Sequence, residues 1–556
     1  MENAEIKTTQ TNTTVLKGNA IFDGTGRPPF SGAVIIEGNK IVKVLQDGDG
    51  FQGITADGSC PGIPAGAEII DCGDRLIMPG FNDAHTHITV GAFLEDENFG
   101  INLIEAGSKE ECITQLKAFA EAHPDNEWAI GFMANNFAWE NPGLPDRYDL
   151  DAAFPDRPAV IQMCDMHSCI VNSFGINYLN IKDDIPSPDD GVIEKDEKGV
   201  LTGRFIDGGG FIIMQAVYDT ADEVYFDVYS KFFRKLASLG ITACGLVAPV
   251  GIPKDPLAIF RQLDRDGALT ARVSYYPSIL EYDREAFAAR CSEYNTGKIR
   301  IGGVKQLVDG VAATHTAYML EPYLDAPDTC GKPSVDMDAF RCQVLNAVRD
   351  GVACRVHTIG DRAVREVLDI FEEAKSLYGD QGLRHVQEHI ETVHPDDMGR
   401  FAEIGVACCM QPMHMVFDLA GDDHDRQMGP ERCVHSWPMR ELLDTGAVLA
   451  LGSDFPIVEI DPLHEVYGAV ARQTFEGYPE GGWYPDQRIT MAETLKAYTY
   501  GSAYVEGCED EFGTLEAGQL ADVIVIDRNL FEIEPAEILQ ASVALTVSDG
   551  RIVYRA

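Results

Sequence analysis

Basic residues are scarce in this chain: 44 Lys and Arg stand against 89 Asp and Glu, a formal net charge of −45. Such a balance argues against binding to phosphate backbones and against adhesion to an anionic membrane surface. A solubilising acidic surface accounts for the excess. Long apolar runs are also missing. No stretch of about 18 apolar residues occurs, so no membrane-spanning helix is expected. The polar start, Met1 to Thr14, lacks the basic-then-apolar order of a signal peptide. The 14 cysteines have no regular spacing and form no CxxC pair. Several, such as Cys244, Cys354, Cys408 and Cys409, lie inside apolar stretches and read as reduced core residues of a cytoplasmic protein. Neither an internal repeat nor a low-complexity tract stands out.

With 45% hydrophobic and 24% charged residues over 556 positions, the chain reads as globular and too long for one ordinary domain. Its two ends share one style, short apolar runs broken by Gly, Asn and Asp. Residues 33–45 read as two strands turning at Gly38-Asn39, and residues 544–554 as two strands turning at Asp549-Gly550. Each end is too thin to bury a face alone, which predicts one composite β-sandwich built from both. Between them, strands alternate with amphipathic segments, the pattern of a parallel α/β architecture. Eight candidate strands lie at 75–87, 240–247, 271–279, 299–310, 351–360, 384–390, 405–412 and 446–454. Eight is the number that closes a TIM-type (β/α)8 barrel. The predicted division is therefore 1–78 and 509–556 for the sandwich and 79–508 for the barrel, with an inserted subdomain at about 92–220 after the first barrel strand.

The chemistry starts at His85 and His87, two apart at the end of the first of these strands. Alternate strand residues share a face, so both imidazoles can reach one ion. An HxH pair is weak by itself. Placed on their strands, however, Lys305, His357, His389 and Asp454 also fall near C-terminal ends, on the rim where barrel enzymes gather catalytic groups. Ligand-type side chains from five strands meeting at one rim make His85, His87, His357 and Asp454 candidate metal ligands.

Several stretches carry a resemblance: "PGFNDAHTH", "MCDMHSCIVNSFGI", "GVIEKDEKGVLTGRFID", "GGVKQLVDG", "HTIGDRAVREVLD", "QEHIETVHPDDMGRFAEIGVACCMQPMH", "GSDFPI" and "GTLEAGQLADVIVID". Spread over residues 79–527, they resemble the amidohydrolase superfamily, and within it amidohydrolase family 3, the branch containing N-substituted formamide deformylase. The resemblance implies that His85, His87 and Asp454 bind one divalent metal, and His357 and His389 a second. It also implies that Lys305 bridges the two as an N-carboxylated lysine, since an ammonium could not sit beside a dication. The alternative keeps one metal and makes Lys305 a salt-bridge partner of Asp309. Zinc is the default metal for such ligands, with manganese, iron or nickel also compatible. Metal-bound hydroxide would then attack a carbonyl carbon, and Asp454 would carry the proton to the leaving nitrogen.

Four further residues are substrate-binding candidates. His167 sits in a family motif within the insertion, where it either faces the substrate or is held structurally by neighbours such as Asp165. His315 stands in "DGVAATHTAY" where the family more often has "SLGSRTA", which makes it a candidate specificity residue. His414 follows the seventh strand. Trp139 offers either an aromatic wall or core packing. Asp361 and Arg362 read as a pair bracing a loop. The expected activity is hydrolysis of a non-peptide C–N bond in a small molecule. Deamination of a cyclic amidine, opening of a lactam or lactone, and an inactive binding relative are the rivals. The expected partners are a small-molecule substrate and a second copy in a homodimer, with no nucleic acid and no membrane.

Overall fold

A computed structural model describes residues 13–47, 66–136, 139–141, 143–188, 191–247, 251–421 and 423–556. The chain divides into two compact units: Met1–Thr86 with Phe233–Ala248 and Asp264–Ala556, and His87–Phe232 with Pro249–Leu263. Among the described residues no helix is long and apolar enough to cross a membrane.

In the first unit, strands from both ends of the sequence enter one continuous hydrogen-bonded sheet of eight strands. The strand Leu76–Pro79 makes the join: it pairs parallel with Thr13–Ile21 and antiparallel with Val523–Ile526. One apolar cluster, including Leu16, Val34, Ile77, Val523 and Val547, therefore draws on both ends of the sequence. The two turns abut. Asp549 and Gly550 both have positive φ, 50° and 73°, as a type I′ hairpin requires. A Cβ on Gly550 would stand 1.8 Å from the Gly38 carbonyl oxygen, so only glycine fits that approach.

The same unit holds two parallel sheets whose strands alternate with helices, which is an α/β architecture. One pairs Phe81–Thr86, Ile241–Val247, Arg272–Tyr276 and Ile299–Ile301; the other pairs Val304–Leu307, Cys354–Thr358, Val386–His389, Ala407–Met410 and Leu449–Leu451. Single parallel bridges, Ser278 to Lys305 and Thr86 to Phe455, link the two sheets. Nearly every residue of these strands is buried, as parallel strands covered on both faces require.

Two runs read as single strands from the sequence are split, each at a glycine. Residues 75–87 divide at Gly80, where a Cβ would meet the Thr242 side chain at 2.1 Å. The first half joins the end sheet and the second the parallel sheet. Residues 299–310 divide at Gly302-Gly303, where Cβ atoms would press on the Tyr276 hydroxyl and the Ala353 carbonyl.

The second unit contains a mixed six-stranded sheet, ordered Gly191–Lys195, Leu201–Asp207, Ser168–Val171, Ala159–Met163, Ala129–Ala134 and Ile101–Asn102. Its core includes Leu103, Leu116, Trp139, Leu150, Phe154 and Ile161. The segment expected as an insertion, about 92–220, falls within its first stretch.

Candidate metal centre

His85 lies on Phe81–Thr86, and its ring meets two carboxylates. Nδ1 is 2.8 Å from Glu388 Oε2, and Nε2 is 3.2 Å from Asp454 Oδ1. Glu388 accepts a hydrogen bond from Arg355 Nε, and both side chains are fully buried. Burial alone would raise the Glu388 carboxyl, but Arg355, Lys305 and His85 together outweigh it and hold the group well below the ordinary carboxylate range. Glu388 is therefore an anion, and His85 donates Nδ1–H to it. With Nδ1 engaged by Glu388, Nε2 and Asp454 Oδ1 stand 3.2 Å apart. Two ligand-type atoms at that separation can share a cation, and a carboxylate behind the histidine is the usual support of a metal-ligating imidazole.

Asp454 is 6% exposed and has left-handed backbone, φ 59°. Its N–H donates to the His85 carbonyl at 2.8 Å. Gly452 permits this approach, because a Cβ there would lie 2.6 Å from the His85 nitrogen. Asp83 ties the two segments together. Its Oδ1 accepts from the backbone N–H of His85 and Ser453, and its Oδ2 accepts from the Tyr498 hydroxyl. Burial pushes the Asp83 carboxyl up to about 6.

His87 is the next residue after the strand Phe81–Thr86. His389, His414 and Asp454 offer ligand atoms within 4.8 Å of one another. The His389 ring centre is 4.9 Å from that of His85 and 4.3 Å from that of His357. His357 Nε2, His389 Nδ1, His414 Nε2 and Lys305 Nζ are buried with no hydrogen-bond partner among the described residues. Orphaned polar atoms are costly in a protein interior, and the unpartnered nitrogens of His357 and His389, on neighbouring rings, fit a cation that they could ligate.

Electrostatics agree. Burial, with the Lys305 charge nearby, lowers His357 to about 3. Burial, with His357 beside it, takes His389 well below the ordinary imidazole range. Both rings are thus neutral and offer lone pairs. Lys305 is 2% exposed, and burial lowers it to about 8. Asp309, offered by the sequence as its ion-pair partner, instead accepts backbone N–H groups from Tyr318, Ile359 and Gly360. Cys409 also approaches His85 and Glu388, but burial and the Glu388 charge raise its thiol and keep it protonated.

The remaining candidates separate. His414 joins the centre: Nε2 is 3.6 Å from Asp454 Oδ2 and Nδ1 is 3.5 Å from Glu391 Oε1. Burial lowers its pKa, but Glu391 and Asp454 outweigh that and the net shift is upward. His315, with φ 57°, is tied to Asp325 at 2.9 Å and packs edge-on to Tyr323. In the second unit His167 is exposed and bonded through its ring to Asp207 at 3.0 Å, with Asp165 reaching only its backbone. Trp139, offered as an aromatic wall, is a core residue whose indole N–H donates to the Ala106 carbonyl at 2.6 Å. Asp361 and Arg362 do not pair; Asp361 accepts from the Leu320 N–H, and Arg362 pairs with Glu366.

The profile of the amidohydrolase family matches residues 68–554. The putative amidohydrolase YtcJ of Bacillus subtilis is 27% identical over 88% of this chain and 90% of its own length. The N-substituted formamide deformylase of Arthrobacter pascens is 25% identical, with the same coverage of each chain. Among solved structures, an uncharacterized metal-dependent hydrolase from Pyrococcus furiosus superposes with a TM-score of 0.73 at 26% identity, covering 94% of this chain and 100% of that one.

Proposed function

The chain belongs to the amidohydrolase family and is a metal-dependent hydrolase, and from that premise we propose that it cleaves a non-peptide C–N bond, of amide type, in a small molecule. The observation that carries this reading is the pair of facing donors, His85 Nε2 and Asp454 Oδ1, 3.2 Å apart with Glu388 behind the histidine. The parallel strands, joined by the bridges at Ser278–Lys305 and Thr86–Phe455, support a closed TIM-type barrel in which the split run counts as the fourth strand. In that arrangement every donor sits at a strand's C-terminal end.

His85, His87 and Asp454 would hold one divalent cation and His357 and His389 a second, zinc suiting the nitrogen-rich donor set. When bound, such an ion lowers the pKa of water and polarises a carbonyl oxygen. Lys305 fits a bridging role because burial favours its neutral amine. A neutral Nζ can add carbon dioxide and lose a proton, leaving a carbamate with two anionic oxygens. Asp454 stands where it can accept a proton and pass it to a leaving nitrogen. His414, between Asp454 and Glu391, lies against the same carboxylate and is placed to contact the substrate.

The test is turnover by the zinc-loaded protein of a panel of formamides, N-acyl amino acids, cyclic ureas and lactones. Hydrolysis of open-chain amides supports the proposal. Activity confined to lactones, or ammonia release from cyclic amidines alone, overturns it.

A further inference from the structure

A second place in the first unit repeats the signature of facing donors. Glu391 lies two residues beyond the strand Val386–His389, Asp418 on the helix Pro412–Gly421, and His424 on the helix Asp423–Met428. Their ligand atoms all lie within 4.8 Å of one another. His424 is 3% exposed and Glu391 6%. The imidazole is held on every side but one. Nε2 is 2.8 Å from Ser436 Oγ, and the ring packs against Trp437 and Trp483 with centres 4.8 and 6.0 Å away. The remaining nitrogen, Nδ1, is buried without a hydrogen-bond partner among the described residues.

That nitrogen points at a carboxylate it does not bond. Asp418 Oδ2 is 3.5 Å from Nδ1, longer than a charge-assisted hydrogen bond, which runs about 2.7–2.9 Å. Two donors on one tetrahedral zinc, each about 2.0–2.1 Å from the metal, stand about 3.4 Å apart. If Nε2–H donates to Ser436, the Nδ1 lone pair faces a carboxylate oxygen; if Nδ1 carries the proton, it meets Asp418 only at a distance beyond a normal hydrogen bond. A cation removes the difficulty in the first case, and the Ser436 contact then orients the ring as hydrogen bonds behind ligating histidines do.

We propose that Glu391, Asp418 and His424 form a further divalent-metal site, separate from the His85 group, that takes a zinc-class ion through one nitrogen and two carboxylates. Two features tie it to the first centre. Glu391 also meets His414 Nδ1 at 3.5 Å. Asp418 lies one helical turn beyond His414, so the two share a helix face. An ion at this site fixes the strand end and the helix to each other, and with them His414 beside Asp454.

Zinc-soaked crystals of the full chain test this without altering it. Anomalous density about 2.1 Å from His424 Nδ1 is expected, and its absence while zinc occupies the His85 group overturns the proposal. In solution, chelator-treated protein is reloaded with zinc, freed of excess ion and its metal counted. Asp418→Asn and His424→Gln are each expected to hold one equivalent fewer than wild type, with the His85 group still filled. Unchanged zinc content in both folded variants, judged by circular dichroism, overturns it. Because the two groups are scored separately, an empty His85 centre beside a filled Glu391 group would count against the proposed hydrolytic site alone.

Discussion

At the scale of single residues, His85 links two carboxylates, Glu388 through Nδ1 at 2.8 Å and Asp454 through Nε2 at 3.2 Å. Asp454→Asn should keep the protein folded and metal-loaded yet lower kcat by at least about 100-fold, as loss of a positioned proton carrier does; steady-state rates alongside metal analysis check both halves. Glu388→Gln removes the anion that sets the His85 tautomer. It should weaken metal binding about 10- to 100-fold, read by competition against a chelating dye. The histidines and Asp454 were legible in the sequence because ligand-type residues recur at strand ends. Glu388 was not. Strand alternation sets it on the face opposite His389, but positive φ at His389 and Ile390, 69° and 54°, breaks the alternation. Asp83, Arg355 and Tyr498 were hidden for another reason: their roles depend on partners hundreds of residues away or on a neighbouring strand, which spacing does not encode.

Among elements, the strand and helix alternation was readable from period and turn residues, while the two split strands were not. Gly80 and Gly302 look like ordinary strand glycines until the neighbouring Thr242 and Tyr276 are in place. The predicted turn at Asp549-Gly550 was legible, and its contact with Gly38 explains why glycine is needed. Gly550→Ala, with positive φ and a backbone oxygen in the way, should cost more than about 1 kcal/mol, visible as a lower denaturant midpoint. Glu506, beyond the helix Ser502–Val505, reaches Ser274 on a parallel strand at 3.0 Å. Burial raises its carboxyl from 4.5 to about 7. A raised folded-state pKa means the folded chain holds the proton longer than the unfolded one. The stability it contributes is thus complete below about pH 4.5 and lost as pH rises through about 7. Relative to Glu506→Gln, which cannot titrate, wild type should lose on the order of 3 kcal/mol across that window. Urea unfolding of both proteins from pH 4.5 to 8 measures it; parallel curves would refute the assignment.

For the whole molecule, the charge of −45 implies self-repulsion that salt screens. Tm should therefore rise between low salt and about 0.5 M sodium chloride. Binding to the folded state alone adds stability by mass action, so chelation should lower Tm and abolish activity together, and zinc should restore both. The measurement that bears most directly on the account is anomalous diffraction at the zinc edge from crystals of the metal-loaded protein. The predicted result is density between His85 Nε2 and Asp454 Oδ1, with His87 on the same ion and the Lys305 side chain extended by a carbamate toward a second ion at His357 and His389. A fully loaded crystal with no ion between His85 and Asp454 would contradict it.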